Sequence, residues 1–300
     1  MDLSSSISST SGPSSTSGTD TLGVPCLPGA PSWVSLLAHD PGAAQEFYGP
    51  LLGWSFESPR EQPPGYVVAE VRGVPVAGIG RLPSRGRFTA TWTTFFGVAD
   101  IDAAVLRVRE RLGTVGLGPS PAWAGRVALA TDPDGAVFGL WQGEVGPARE
   151  LPLPGAPAWV ELSTDAFAAA MFYGDVLDWA SHDPEHLDMA WQHERVLLLV
   201  DGKETAALRT ADERTASLPV RPHWHLSFGV DDLYHSLVHA QHLGAVLLSA
   251  PVSTPYGDTA ELHDPEGALF SLIAVHRPAG LPDPHPPGSP APPPQAASGV

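Results

Sequence analysis

The chain repeats itself, and the repeat restricts its fold more than any other feature. Gly29-Ala30-Pro31-Ser32-Trp33-Val34 returns as Gly155-Ala156-Pro157-Ala158-Trp159-Val160. Glu46-Phe47-Tyr48-Gly49, followed by Leu52-Gly53-Trp54, returns as Met171-Phe172-Tyr173-Gly174, followed by Leu177-Asp178-Trp179. Farther along, Trp92-Thr93-Thr94-Phe95-Phe96-Gly97-Val98 is echoed by Trp224-His225-Leu226-Ser227-Phe228-Gly229-Val230, and Asp132-Pro133-Asp134-Gly135 by Asp264-Pro265-Glu266-Gly267. The offset drifts only from 125 (Phe47 to Phe172) to 132 (Trp92 to Trp224), so one domain is duplicated in tandem. Each copy is long enough for a core of its own.

Within a copy the element type alternates. Residues 33–38 alternate in polarity and read as a strand. Residues 40–52 carry Ala43, Ala44, Phe47 and Leu51 at helical spacing, with Asp40 as N-cap, Pro41 in the first turn and Gly53 as the stop. Three strands follow, at 54–57, 66–71 and 74–81, the last two joined by Arg72-Gly73, whose counterpart is Asp201-Gly202. The cycle then restarts with a strand at 91–98, a helix at 100–112 behind Asp100, and strands near 115–117, 126–130 and 137–141. Each copy is therefore two strand-helix-strand-strand-strand units, an α+β arrangement with eight strands and two helices.

The ends differ from the middle. Residues 1–28 are rich in Ser, Thr, Gly and Pro, and residues 277–300 in Pro, Ala and Gly. Neither has the apolar surface to offset its ordering entropy, so both are expected to be disordered tails. The expected organisation is a first module at 29–143, a linker at 144–154 and a second module at 155–276. No basic N-terminal segment precedes an apolar run, and no stretch approaches the roughly 18–20 apolar residues of a membrane helix. The single cysteine, Cys26, falls in the expected tail. A reducing, cytoplasmic setting and no membrane partner are the corresponding expectations. The formal charge of -17, from 33 acidic and 16 basic residues, argues against a nucleic-acid partner. No phosphate-binding glycine loop, nucleophile elbow or cysteine pair is present.

The combination of Phe-Tyr and Leu-Gly-Trp after the first strand, the Asp-capped helix after an alternating strand, and the Asp-Pro-Asp-Gly turn before the last strand resembles the vicinal oxygen chelate superfamily. That group includes glyoxalase I, extradiol dioxygenases and bleomycin-resistance proteins, and the tandem layout is similar to actinobacterial members labelled glyoxalase-like or hydroxylase-like. The resemblance implies a mixed sheet curled into a cup in each module, with helices packed outside and ligands on the concave face. It also implies, in metal-dependent members, a His or Gln from the first strand, a His from the fifth and a Glu from the eighth. The matching positions here are Trp33 and Trp159, Thr93 and His225, and Gly139 and Ser271. A divalent ion needs three or more N, O or S side chains, and this set is incomplete in both modules, so no metal ligand and no cofactor are assigned.

Strand alternation assigns the concave faces. In the first module Trp33, Ser35 and Leu37 share a face, as do Thr93, Phe95 and Gly97, and Val137, Gly139 and Trp141. This aromatic, nearly uncharged surface suits a flat or apolar molecule, or forms the core of a closed cup. Trp123 is placed to rim its opening. In the second module Trp159, Glu161 and Ser163 share a face with His225, Ser227, Leu269, Ser271 and Ile273. There Glu161 and His225 are expected within hydrogen-bond reach of each other, either as an acid–base pair or as a mutually satisfied buried pair.

His235, His239 and His242 form a stripe on the second helix opposite Leu233, Leu237 and Ala240, which puts them toward solvent. Two functions fit. The first is a metal-independent monomer that binds a small aromatic or apolar metabolite through Trp33, Thr93, Phe95, Trp141, Trp159 and Ser271. The second is a glyoxalase-, dioxygenase- or hydroxylase-like enzyme using His225 and Glu161, with or without a divalent metal bound by an incomplete ligand set.

Overall fold

The fold comes from a computed structural model, which describes residues 24–58, 65–82, 89–122, 125–145, 153–179, 186–192, 195–210 and 222–275. Residues 1–23 and 276–300, which include most of both expected tails, lie outside that set, as does Trp123.

The first module runs β1 (Val24–Pro25), β2 (Pro31–Ala38), α1 (Pro41–Leu52), β3 (Ser55–Glu57), β4 (Val67–Val71), β5 (Val74–Arg81), β6 (Thr91–Gly97), α2 (Ile101–Glu110), β7 (Thr114–Ala122), β8 (Gly125–Thr131) and β9 (Val137–Val145). The second runs β10 (Pro157–Thr164), α3 (Ala166–Val176), β11 (Leu187–Gln192), β12 (Arg195–Val200), β13 (Lys203–Thr210), β14 (Trp224–Val230), α4 (Leu233–His242), β15 (Val246–Leu247), β16 (Val252–Thr254), β17 (Gly257–His263) and β18 (Leu269–Ala274). The first sheet is ordered β3-β4-β5-β2-β6-β9-β8-β7 and the second β11-β12-β13-β10-β14-β18-β17-β15, each curled, with four helices in all among the described residues. In both, the strands that begin the two units are antiparallel neighbours at the centre, β2 with β6 and β10 with β14.

Each helix starts where an aspartate caps it. Asp40, Asp100, Asp165 and Asp232 are extended residues whose carboxylates accept backbone N–H groups of the first turn. None of the helices among the described residues is long and apolar enough to cross a membrane.

The N-terminal boundary differs from expectation. Val24 and Pro25 form β1 and pair with Val145 and Glu144 of β9, and the Cys26 N–H donates to the Gly143 carbonyl at 2.9 Å. Residues 24–28 thus belong to the first module. Their physical anchor is Cys26, buried against Trp33 and Trp141 where the composition of the segment gave no hint of a core residue.

The convex faces of the two sheets and their helices merge into one core shared by both modules. Helix α1 packs against α4, and α2 against α3. The repeated motifs lie at this junction. Trp92 Nε1 donates to Tyr48 Oη at 2.9 Å, and Tyr48 Oη donates to Asp264 Oδ2 of the other module at 3.0 Å. Reciprocally, Trp224 Nε1 donates to Tyr173 Oη at 2.9 Å, which donates to Asp132 Oδ2 at 3.1 Å. Trp54 Nε1 reaches the Gly155 carbonyl and Trp179 Nε1 the Gly29 carbonyl, both at 2.7 Å. Burial pushes both tyrosines well above the ordinary phenol range, so they remain hydrogen-bond donors.

Candidate functional site

The concave face of the first module is filled by its own side chains. Trp33, Phe95 and Trp141 are buried with Cys26 and Val68, and Tyr66, Val127 and Leu129 pack against them. Trp33 faces Phe95 across the β2–β6 ladder, and Phe95 is paired with Gly139 on β9. Trp33 Nε1 donates to Tyr66 Oη at 3.0 Å, and the Tyr66 and Ser35 hydroxyls are 3.3 Å apart. Burial pushes the Tyr66 phenol pKa up. Thr93 is buried in the same sheet, the cross-strand partner of Ser35.

Small residues make room for these rings. A Cβ at Gly78 would fall inside the Tyr66 phenol and one at Gly139 inside the Phe95 ring. Gly139, which stands at a ligand position of the family, instead makes room for a ring, and Tyr66 is a site residue that strand alternation does not single out. The alternation of Gly78 and Gly80 on one strand, opposite an aromatic residue, was the available signal. Gly139→Ala is expected to destabilise the protein by about 1–3 kcal/mol through overpacking, measurable by urea unfolding.

The second module differs at the same positions. Its concave face carries an apolar patch of Trp159, Leu197 and Ala207 with Tyr256 packed on it, and beside this a row of polar groups. Tyr256 sits in the turn between β16 and β17 and stacks on Trp159 with ring centroids 4.0 Å apart and planes at 23°. Burial, then a hydrogen bond to Glu204, pushes the Tyr256 pKa up to about 12.

Glu161 and His225 are cross-strand partners in the β10–β14 ladder, as alternation predicts, yet their side chains part. Glu161 accepts from Arg209 Nε at 2.8 Å and Arg195 Nη2 at 3.2 Å. His225 Nε2 lies 2.6 Å from Ser271 Oγ and 4.0 Å from Glu261 Oε1. The expected Glu161–His225 hydrogen bond is therefore replaced. The cause is sheet order, which sets β13 and β12 beyond β10 and gives Glu161 two guanidinium partners in place of a weakly basic imidazole.

Ser271 is fixed by its place on β18, paired in parallel with Ser227 of β14, which brings it diagonally under His225. The His225 side chain is 19% exposed, and burial is the main reason its pKa falls below the ordinary imidazole value. His223 and Arg209 push the same way, while Glu261 and Glu161 push it back up. His225 is accordingly neutral at pH 7 and able to give or take a proton. Because its folded pKa is lowered, its contribution to stability is present above the unfolded value of about 6.5 and is lost as pH falls through the folded one. Glu261→Gln is expected to lower the His225 pKa further, read from its imidazole resonances across a pH series.

His235 and His242 are exposed and His239 partly so, on the face of α4 away from the core. The metal-ligand positions of the first module hold Trp33, Thr93 and Gly139, and those of the second Trp159, His225 and Ser271. In the second module that is one imidazole and one neutral hydroxyl, with the half-exposed Glu261 carboxylate nearby. No group of three His, Cys, Asp or Glu side chains able to hold a metal ion occurs among the described residues. The donor set does not fit a divalent ion of the family type.

Two curled sheets of this topology, each with its own concave face, define a tandem vicinal oxygen chelate protein, and the chain belongs to that glyoxalase-like family. The model of the glyoxalase-like domain matches residues 159–273. The chain is 32% identical over 268 residues to the anthracycline biosynthesis protein DauV of Streptomyces sp. (strain C5), covering 83% of this chain and 94% of that one. It is 33% identical over 258 residues to CFP32 of Mycobacterium tuberculosis, which carries a provisional glyoxylase name, covering 82% of this chain and 94% of that one. Among solved structures it is similar to the Mn(II)-bound glyoxalase of Novosphingobium aromaticivorans, with 14% identity, a TM-score of 0.55 and coverage of 84% and 83%. It also resembles the 2,3-dioxygenase LapB of Pseudomonas sp. KL28, with 13% identity, a TM-score of 0.53 and coverage of 84% and 94%. At these identities the two structures establish a shared fold.

Proposed function

We propose that the chain binds a small planar organic molecule in the cup of its second module, without a metal ion, and that the first module serves as scaffold. The observation that carries this reading is the contrast between the cups. One is closed by Tyr66, Trp33, Phe95 and Trp141. The other sets a flat aromatic wall, Trp159 and Tyr256, beside His225, Ser271, Glu161 and two arginines. An aromatic wall next to a few placed polar groups suits a ring system bearing oxygen substituents. The name of the relative DauV, an anthracycline biosynthesis protein, fits a fused-ring ligand of that kind.

A second reading concerns chemistry on the bound molecule. His225, neutral at pH 7 and 2.6 Å from Ser271 Oγ, is placed to move a proton to or from a hydroxyl or carbonyl of the ligand. Glu161, held by Arg195 and Arg209, has no part in that step.

Quinizarin, a fused-ring dihydroxyquinone uncharged at neutral pH, is the probe. Titration into the full chain, followed by tryptophan fluorescence, is expected to show saturable binding that weakens by about tenfold or more in His225→Ala, as loss of a buried hydrogen bond predicts. Thr93→Ala in the first cup should leave it unchanged. Binding that survives His225→Ala and is lost in Thr93→Ala would place the ligand in the wrong cup.

A further inference from the structure

The polar row of the second cup is asymmetric in charge. At one end, Arg195 on β12 and Arg209 on β13 are cross-strand partners, an arrangement of like charges that is unfavourable alone. Glu161 on β10 joins them, taking one N–H from each. One carboxylate thus answers two guanidinium groups, which carry five N–H donors apiece. At the other end Glu261 sits by His225. Glu204 is exposed and bonded to Tyr256.

Arg195 Nε is buried and has no hydrogen-bond partner among the described residues. Leaving such a donor unmade is unfavourable, and more so for a charged group. The same guanidinium lies 5.4 Å from the centre of the Tyr256 ring, which is stacked on Trp159. The unmet donor therefore borders the flat wall of the cup. In a chain of net charge -17, general attraction does not hold an anion, and a local excess of positive charge is required.

We propose that Arg195 and Arg209 form an oxyanion subsite that accepts the carboxylate of a planar aromatic acid, with the ring against Tyr256 and Trp159. The proposal rests on the reading of the second cup as the ligand site and adds the charge and class of the ligand. A guanidinium presents paired donors in one plane, which a carboxylate matches with two oxygens and a carboxamide with only one.

The test compares anthraquinone carboxylate with its isosteric carboxamide, by calorimetric titration of the full chain at two salt concentrations. The carboxylate is expected to bind about tenfold tighter or better, with the preference shrinking at high salt. The preference should disappear in Arg195→Gln and in Arg209→Gln, each first checked for native melting; the wild-type comparison stands without them. Equal affinity for the two probes, both weakened by His225→Ala, would overturn the anion subsite and leave the cup reading intact. That result would assign Arg195 Nε to an ordered water only. A carboxylate preference that survives both substitutions would overturn the choice of arginines, and failure of both probes to bind would overturn the cup reading as well.

Discussion

Asp264→Ala is expected to destabilise the protein by about 3 kcal/mol or more, and Asp132→Ala by a similar amount. Asp264 Oδ1 accepts the N–H groups of Glu266 at 2.9 Å and Ala268 at 2.8 Å, closing its own turn. Its Oδ2 accepts Tyr48 Oη from the other module. Deleting the carboxylate opens the turn and strands a fully buried phenol that still receives the Trp92 indole proton. A buried donor left without a partner costs more than the net value of the bond it made.

Asp264→Asn keeps the shape and one acceptor oxygen, so its cost should be smaller. Burial raises the pKa of both aspartates despite these bonds. A raised carboxyl pKa contributes stability that is present below the unfolded value of about 3.9 and lost as pH rises through the folded one. Asp264→Asn removes that opposing contribution, so its stability should rise more steeply with pH than the wild type's as pH climbs from about 3.9 through the raised pKa. Urea unfolding across pH measures both effects, and a loss below 1 kcal/mol in the alanine variant would mean the latch is ornamental.

Trp179→Ala should cost about 3–5 kcal/mol, in the range of large-to-small aromatic deletions in a core. The indole is buried, packs near-parallel to Tyr173 with centroids 6.4 Å apart, and donates to the Gly29 carbonyl at the entrance to the first module. Trp54, its counterpart, makes the same contact in the opposite direction and should behave alike. Because the two modules share one core, unfolding should remain a single cooperative transition at lower temperature. Two resolved calorimetric transitions would show that the modules unfold as separate units.

The repeat and the periodicity of its strands and helices carried the fold, since both are local signals. Asp40 and Asp100 cap helices as their spacing predicts, and Trp33, Phe95 and Trp141 share a face as alternation predicts. What alternation cannot supply is the order of strands across a sheet. Glu161 and His225 face each other in register, but the partners that win, Arg209, Arg195 and Ser271, sit on strands brought alongside by long connections. Tyr66 precedes β4 in a hairpin that the sequence does predict, but its ring lies over Gly78 and its hydroxyl accepts the Trp33 indole N–H of β2, and hairpin pairing alone does not announce either contact. Cys26 and β1 were hidden by a Ser- and Pro-rich surrounding whose composition says nothing about two backbone hydrogen-bonding residues and one buried thiol.

The central claim, that the second cup is the ligand site and the first is closed, is tested most directly by the indole N–H resonances of the nine tryptophans during quinizarin titration. The Trp159 resonance is expected to shift progressively to saturation at one molecule per chain, while those of Trp33 and Trp141, held by Tyr66 Oη and the Glu144 carbonyl, stay in place. Shifts of Trp33 and Trp141 with Trp159 unmoved would contradict it.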